Sequence, residues 1–172
     1  MVSITNSIIR VAVPGDEAGI HDAHMRSIRE VCSRDHGAEE IRGWGHRELG
    51  DRWRSNILRN QIDEWIWVVE KDGRIEGYVF SRLQTDHVMY LGGLYLTPSI
   101  LGQGWGQKLM DLTQQAARNA GVTRIVLQST LTAHEFYLRR GFKDTGPLQW
   151  TEIAGYPVRN IPMTLSISER SD

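Results

Sequence analysis

A chain of 172 residues that is 40% hydrophobic can bury one sizeable core, so a single domain spanning 1–172 is expected. With 20 Lys and Arg against 21 Asp and Glu, the formal charge of −1 excludes a bias toward nucleic acid or anionic membrane, and the apolar runs fall far short of the roughly 20 residues of a membrane span. Cys32 is the sole cysteine, which excludes an internal disulfide; the six histidines show no metal-ligand spacing; and the N-terminus lacks the basic-then-apolar order of a signal peptide, so a cytoplasmic location is expected.

In chain order, residues 8–13 read as a strand, followed by a turn at Pro14, Gly15 and Asp16. Asp16 is placed to cap a helix that carries Ile20, His24, Ile28 and Val31 on one face and ends near Arg34. Cys32 lies in that pattern and reads as a buried structural thiol. Residues 38–59 are helical in pattern but interrupted by Gly43, Gly45 and Gly50, so they read as two short helices forming a movable wall. Residues 65–70 alternate as a strand, with Trp65, Trp67 and Val69 on one face. Turns at Lys71-Asp72-Gly73 and at Thr85-Asp86 join it to 75–83 and 88–96 as an antiparallel meander.

At Leu94 the pattern becomes strand, turn, helix. An apolar run breaks at Thr97-Pro98, passes Gly102, Gly104 and Gly106, and continues as an amphipathic helix with Trp105, Leu109, Leu112 and Ala116 at helical spacing. Glycines at a helix head leave its first N–H groups open to a phosphate, with the helix dipole behind them; a tight turn packed closely on a strand would use the same glycines. Neither of two familiar phosphate loops fits. Gly106 is followed by Gln107, Lys108 and Leu109, so the lysine of a P-loop is one place late and the hydroxyl is missing. A dinucleotide fingerprint needs a third glycine where Gln107 stands. Gly121 ends the helix, 124–129 reads as a buried strand, and 133–140 as a short helix stopped by Gly141 and Phe142. Residues 148–153 and 158–167 form a last hairpin turned near Ala154-Gly155, with 168–172 frayed.

These segments resemble the GNAT superfamily of acyl-CoA-dependent N-acetyltransferases. The family's phosphate loop, apolar-x-Pro-x-x-Gln/Arg-Gly-x-Gly-x-Gly/Ala, falls on Leu96, Pro98, Gly102, Gly104 and Gly106. Its later signature, Ala-x-x-Phe-Tyr-x-x-x-Gly-Phe, falls on Ala133, Phe136, Tyr137, Gly141 and Phe142. The likeness is sharp over 94–142 and architectural elsewhere. It implies an α+β fold whose mixed, mostly antiparallel sheet of about seven strands is splayed at a central parallel pair and flanked by about four helices. It also implies acetyl-CoA as cosubstrate, with no metal. Leu94, Tyr95 and Leu96 would lie along the pantetheine arm, and Leu101, Gly102, Gln103, Gly104, Trp105, Gly106 and Gln107 around the pyrophosphate. Leu101 departs from the family's Gln or Arg and removes a side-chain donor, so weaker cofactor affinity is expected. Gly92-Gly93 reads either as a bulge or as a close backbone approach to a helix.

Acetyl transfer to an amine needs a donor to polarise the carbonyl, a route for the amine proton and an acid for the leaving sulfur. Tyr137 suits the acid, because a phenol of ordinary pKa about 10 stays protonated at pH 7, and the resemblance points to the same residue. The implied reaction is direct attack in a ternary complex by a small-molecule or peptide amine, with no nucleic-acid or membrane partner, in a monomer or homodimer. Some members carry a glutamate on the fourth strand, but His87-Val88-Met89-Tyr90 holds no carboxylate, so a water relay anchored by His24, Glu30, His87 or Glu152 is expected. His134 beside the acid helix reads as exposed. Of the six tryptophans, Trp67, Trp105 and Trp150 read as core, while Trp44 and Trp53 read either as core or as the lining of an acceptor pocket. A non-catalytic acyl-CoA-binding regulator and a nucleotide-binding protein remain alternative readings.

Overall fold

Trp65, Trp67 and Val69 alternate with Ile66 and Val68, the pattern of a strand buried on both faces. In the computed structural model, which describes residues 6–55, 58, 62–85 and 87–168, the two sets do pack into different cores on opposite sides of the sheet. The chain runs β1 (Ser7–Val11), α1 (Glu17–Glu30), α2 (Ala38–Trp44), α3 (Asp51–Ser55), β2 (Glu64–Lys71), β3 (Arg74–Thr85) and β4 (Val88–Leu96). It continues through α4 (Trp105–Asn119), β5 (Arg124–Ser129), α5 (His134–Arg139), β6 (Lys143–Asp144), β7 (Gln149–Ile153) and β8 (Tyr156–Ser166). The sheet order is β1-β2-β3-β4-β5-β8-β6, with β7 paired to β8. Among the described residues, only β4 and β5 pair in parallel. The α+β class, the mostly antiparallel sheet and the central parallel pair are as expected; β6 is two residues long and leaves no pattern in the sequence. Among the described residues no helix is long and apolar enough to cross a membrane.

One face of the sheet is covered by α4, whose Leu109, Met110, Ala116 and Ala117 join Met89, Ile125, Leu127 and Phe142 in the larger core. The other face carries α1, with Ile20 and Ala23 in one cluster and Met25 and Ile28 in another. Asp16 stands at the head of α1 but does not cap it. Its carboxylate instead accepts hydrogen bonds from the Arg10 guanidinium at 2.6 and 3.0 Å and from the Val13 N–H at 2.9 Å, which turn it away from the helix's own N–H groups. The α-helix stops at Glu30 rather than near Arg34, and the chain tightens into a 3-10 turn at Cys32–Arg34 that leaves Cys32 buried. Trp150 is a further correction. It is 60% exposed and lies beneath the Arg159 guanidinium at 5.7 Å, since β7 pairs only with β8 and its alternation sends Trp150 and Glu152 outward.

The parallel pair is short. Val88 to Leu91 pair with Arg124 to Leu127, and beyond these the strands part. The cause lies one strand over, where Phe80 pairs with Gly93 but Ser81 pairs with Leu91, so Gly92 is an extra, unpaired residue. This is the bulge reading of Gly92-Gly93, and the close approach is to a neighbouring strand: a Cβ on Gly92 would sit 2.8 Å from the Phe80 ring.

The broken helical wall forms as α2 and α3 and is tied down by Glu40. This buried carboxylate accepts hydrogen bonds from the Arg159 side chain at 2.7 and 3.0 Å, the Arg159 N–H at 3.0 Å, the Gly37 N–H at 2.9 Å and His36 Nδ1 at 3.0 Å. Burial opposes its charge, but the bonds from Arg159, His36 and Gly37 outweigh that and hold its pKa down to about 2, against an ordinary 4.5. The stability this confers is present above pH 4.5 and is lost as pH falls toward 2. Glu40→Gln should therefore lower the unfolding free energy at pH 7 by about 3 kcal/mol in denaturant titrations and flatten its fall between about pH 5 and 2. Parallel acid limbs in the two proteins would rule this out.

Candidate active site

At the end of β4, Thr97 is fixed before any glycine is reached. Its N–H donates to the Glu76 carbonyl at 2.9 Å and its hydroxyl makes a short bond to the Glu76 carboxylate. Glu76 is buried and also takes Arg26 Nη1 at 2.9 Å. Burial works against its charge, but bonds from Thr97, Arg26 and Ser99 prevail and lower its pKa. The Thr97 carbonyl accepts the Ile100 and Leu101 N–H groups at 3.2 and 3.1 Å, which closes one turn over a fully buried Ile100. Gly102 and Gly104 then adopt φ of 75° and 85°, and Gly104 heads α4. The N–H groups of Gly102 to Gln107 find no acceptor within the chain among the described residues, so they form an open cradle at the positive end of a 15-residue helix. The Gln103 side chain donates to the Ser99 carbonyl at 3.1 Å, bracing the loop from a position two beyond Leu101.

From this cradle an apolar groove of about 130 Å³ runs between α1 and α5, lined by Cys32, Leu94, Tyr95, Leu96, Leu101, Gly106 and Phe136 among others. Leu101 is 37% exposed at its mouth. Ser27 Oγ donates to the Leu96 carbonyl at 2.8 Å and holds α1 against the strand. Burial pushes the Cys32 thiol up to about 12, so it is an inert wall of the groove. Leu94, Tyr95, Thr130 and Ala133 belong also to a gap of about 30 Å³ where β4 and β5 have parted, and Tyr137 lines that gap. Tyr137 is 4% exposed, packed edge-on by Phe136 and Phe142 at 5.3 Å each, and burial raises its pKa, so the phenol stays protonated.

Gly92 lines both this gap and a larger cleft of about 370 Å³ walled by α1, the 47–50 segment, α3, β3, β4 and the turn of the last hairpin. In the cleft, His24 Nδ1 lies 2.9 Å from the Tyr78 hydroxyl, Arg47 Nη2 lies 3.3 Å from both ring nitrogens, and the Tyr95 ring lies 4.1 Å away. Burial, then Arg47, then His21 hold the His24 pKa well below its ordinary value, so the ring is neutral at pH 7. Burial raises the pKa of Tyr78.

Of the four candidate relay residues, only His24 reaches the cleft. Glu30 and Glu152 are exposed. His87 is exposed at the closed end of the parallel pair, where its carbonyl accepts the Thr123 N–H at 2.9 Å. His134 bonds Asp144 at 2.8 Å instead of facing the gap. Trp44 is core, fully buried, whereas Trp53 lines the cleft with its ring edge-on to Tyr78 and Phe80. Trp67 and Trp105 pack on the larger core as expected. The sequence reading passed over Tyr78 and Arg47. Tyr78 shares a strand face with Phe80, which marks a lining position, but Arg47 sits in a glycine-broken stretch without any periodicity to assign it.

A family model described as "Acetyltransferase (GNAT) domain" matches residues 32–166. The chain therefore belongs to the GNAT family and is an acetyltransferase enzyme. No curated protein matches it in sequence. Among solved structures it is similar to a GCN5-related N-acetyltransferase from Rhodopseudomonas palustris, at 20% identity and a TM-score of 0.77, over 96% of this chain and 99% of that one. It is similar to the PaiA N-acetyltransferase of Thermoplasma acidophilum in complex with coenzyme A, at 18% identity and a TM-score of 0.73, over 94% and 99%. It is also similar to the ribosomal-protein-S18-alanine N-acetyltransferase of Escherichia coli, at 14% identity and a TM-score of 0.64, over 97% of each chain.

Two of the three loop glycines are required by conformation and the third is not. At Gly104 an added Cβ meets nothing but the backbone is left-handed, whereas at Gly106, inside the helix, it would make ordinary contacts at 3.4 Å with Leu96 and Phe136. Gly104→Ala should cost about 1–2 kcal/mol in chemical denaturation, while Gly106→Ala should be neutral or stabilise by up to about 1 kcal/mol. Equal losses from the two would contradict this account of the loop.

Proposed function

We propose that this enzyme moves an acetyl group from acetyl-CoA to the primary amine of a small-molecule or peptide acceptor, by direct attack in a ternary complex. One observation carries the reading: Gly92 borders both the Tyr137 gap and the His24 cleft, so a donor in the groove and an acceptor in the cleft would meet at the parted strands. The residues present fit the donor. The unpaired N–H groups of Gly102, Gln103, Gly104, Trp105, Gly106 and Gln107 suit a pyrophosphate, and the apolar groove past Leu101 suits a slender arm along Leu94, Tyr95 and Leu96. Gln103 braces the loop where the family's usual donor is replaced by Leu101, which favours a retained but weaker anion site. Acetyl-CoA supplies an acyl thioester.

The chain's own groups do the rest. The Tyr137 hydroxyl, kept protonated by burial, gives its proton to the departing sulfur. With His24 Nδ1–H donating to the Tyr78 oxygen, Nε2 carries the ring's lone pair; Arg47 Nη2 approaches it at 3.3 Å, and when that donor is drawn away the lone pair takes the proton that the acceptor amine gives up, directly or through one water. Burial and Arg47 keep the ring neutral at pH 7, so it enters the reaction unprotonated. Trp53, Tyr78 and Phe80 give the acceptor side an apolar wall.

The test is release of free thiol from acetyl-CoA with a panel of amines, peptides and antibiotics, comparing wild type with Tyr137→Phe. The variant keeps the ring and its packing, so CoA affinity should stay within a few-fold while kcat falls by roughly 10²-fold or more. A wild-type rate in the variant would withdraw Tyr137 as the acid, and CoA binding without turnover of any amine would favour a regulator of the same fold.

A further inference from the structure

Arg47 is an unusual residue to find in a cleft meant for an amine. It projects from the stretch between α2 and α3, and its Nη1 is buried with no hydrogen-bond partner. Guanidinium groups carry five donors and no acceptor, and a buried N–H left unpaired is costly, so the free Nη1 calls for an acceptor, of which an anion is the strongest. None is supplied from within. No carboxylate among the described residues lies within ion-pair distance of Arg47, and the one carboxylate in the cleft lining, Glu48, is 94% exposed and lies 3.9 Å from Arg54. A second guanidinium, Arg82, lies on the far wall above the Tyr90 ring at 5.6 Å. The histidines here do not offset this, since Arg47 is among the causes that lower the pKa of both His21 and His24.

An acceptor with only an ammonium group would bring a further positive charge into this field. We infer that the acceptor is an amine that also carries an anionic group, a carboxylate or a phosphate, on a small apolar or aromatic frame, and that Arg47 is the residue that selects it. The anion would pair with the Arg47 fork. The frame would lie against Ile20, Trp53, Tyr78 and Phe80, and a cleft of about 370 Å³ suits a small molecule or a single chain terminus. Fixing the anion at Arg47 turns the amine toward His24, which Arg47 already touches, and toward Gly92 beyond it. This deepens the N-acetyltransferase reading and rests on it.

The experiment uses pairs of amines that differ only in the anion: L-phenylalanine against phenethylamine, and phosphoethanolamine against ethanolamine. Each is assayed by thiol release from acetyl-CoA and, independently of turnover, by calorimetric binding to the CoA-saturated protein. The anionic member of at least one pair should be preferred by tenfold or more in kcat/KM or in affinity, and which pair responds separates carboxylate from phosphate. Arg47→Gln should erase that preference through KM, and Arg47→Lys should keep part of it as a point charge. Absence of any anionic preference in both pairs, by rate and by binding, overturns the inference, as does a preference that survives in Arg47→Gln. Anionic preference in binding without turnover would leave the anion site standing and remove the acetyltransferase reading. Turnover of the neutral amines without preference would do the reverse.

Discussion

Everything distinctive in this structure depends on one unpaired residue in the middle of a sheet. Gly92 has no partner on β3, and from that point β4 turns away from β5 after only four residues of parallel pairing. Were the two strands paired to their ends, the backbone of Leu94 to Leu96 would be spent on β5 and the space before Tyr137 would close. The bulge instead leaves an interior strand edge that β5 does not pair beyond Leu91, with the Leu96 carbonyl taken by Ser27, and an edge of this kind can receive an amide-bearing ligand by strand-like pairing. Glycine is needed there because the Phe80 ring occupies the place of a Cβ, and Phe80 in turn walls the acceptor cleft.

Two buried carboxylates hold the surroundings of that opening in place. Glu76 binds Arg26 of α1 and Thr97 at the end of β4, and Arg26 also pairs with Asp22, so helix, strand and phosphate loop share one charge cluster. Glu40 does the same for the wall, joining α2 to β8 through Arg159, while its partner His36 accepts the Leu131 N–H at 3.2 Å from the segment that borders the groove. Pairs like these are costly to break because one charge is left buried, whereas an exposed pair such as Arg42–Glu39 contributes little. The stretch between α2 and α3, which carries Arg47, lies outside both clusters.

How much of this was legible in the sequence follows from how local each feature is. The meander, the parallel strand and the loop helix are written in period-2 and period-3.6 patterns, and 88–96 and 124–129 agree with the observed strands to the residue. The bulge was legible from two adjacent glycines. Asp16 and Trp150 were misread because their partners are chosen by the fold: Arg10 captures the carboxylate, and an uncovered ribbon leaves the indole in solvent. The acceptor side was least legible. His24 could be listed as one of four candidates, but its selection depends on Tyr78 lying 54 residues away in sequence, and Arg47 has neither motif nor period.

The central claim is that an anion cradle at the head of α4, an apolar groove and the parted strands form one continuous donor site. Hydrogen exchange of the backbone amides with and without saturating CoA tests this most directly. The account predicts slowed exchange at Gly102 to Gln107 and along Leu94 to Leu96, with little change at the distant β1 edge. Slowed exchange confined to the cleft around His24 and Arg47, or protection of the loop by ATP and not by CoA, would contradict it.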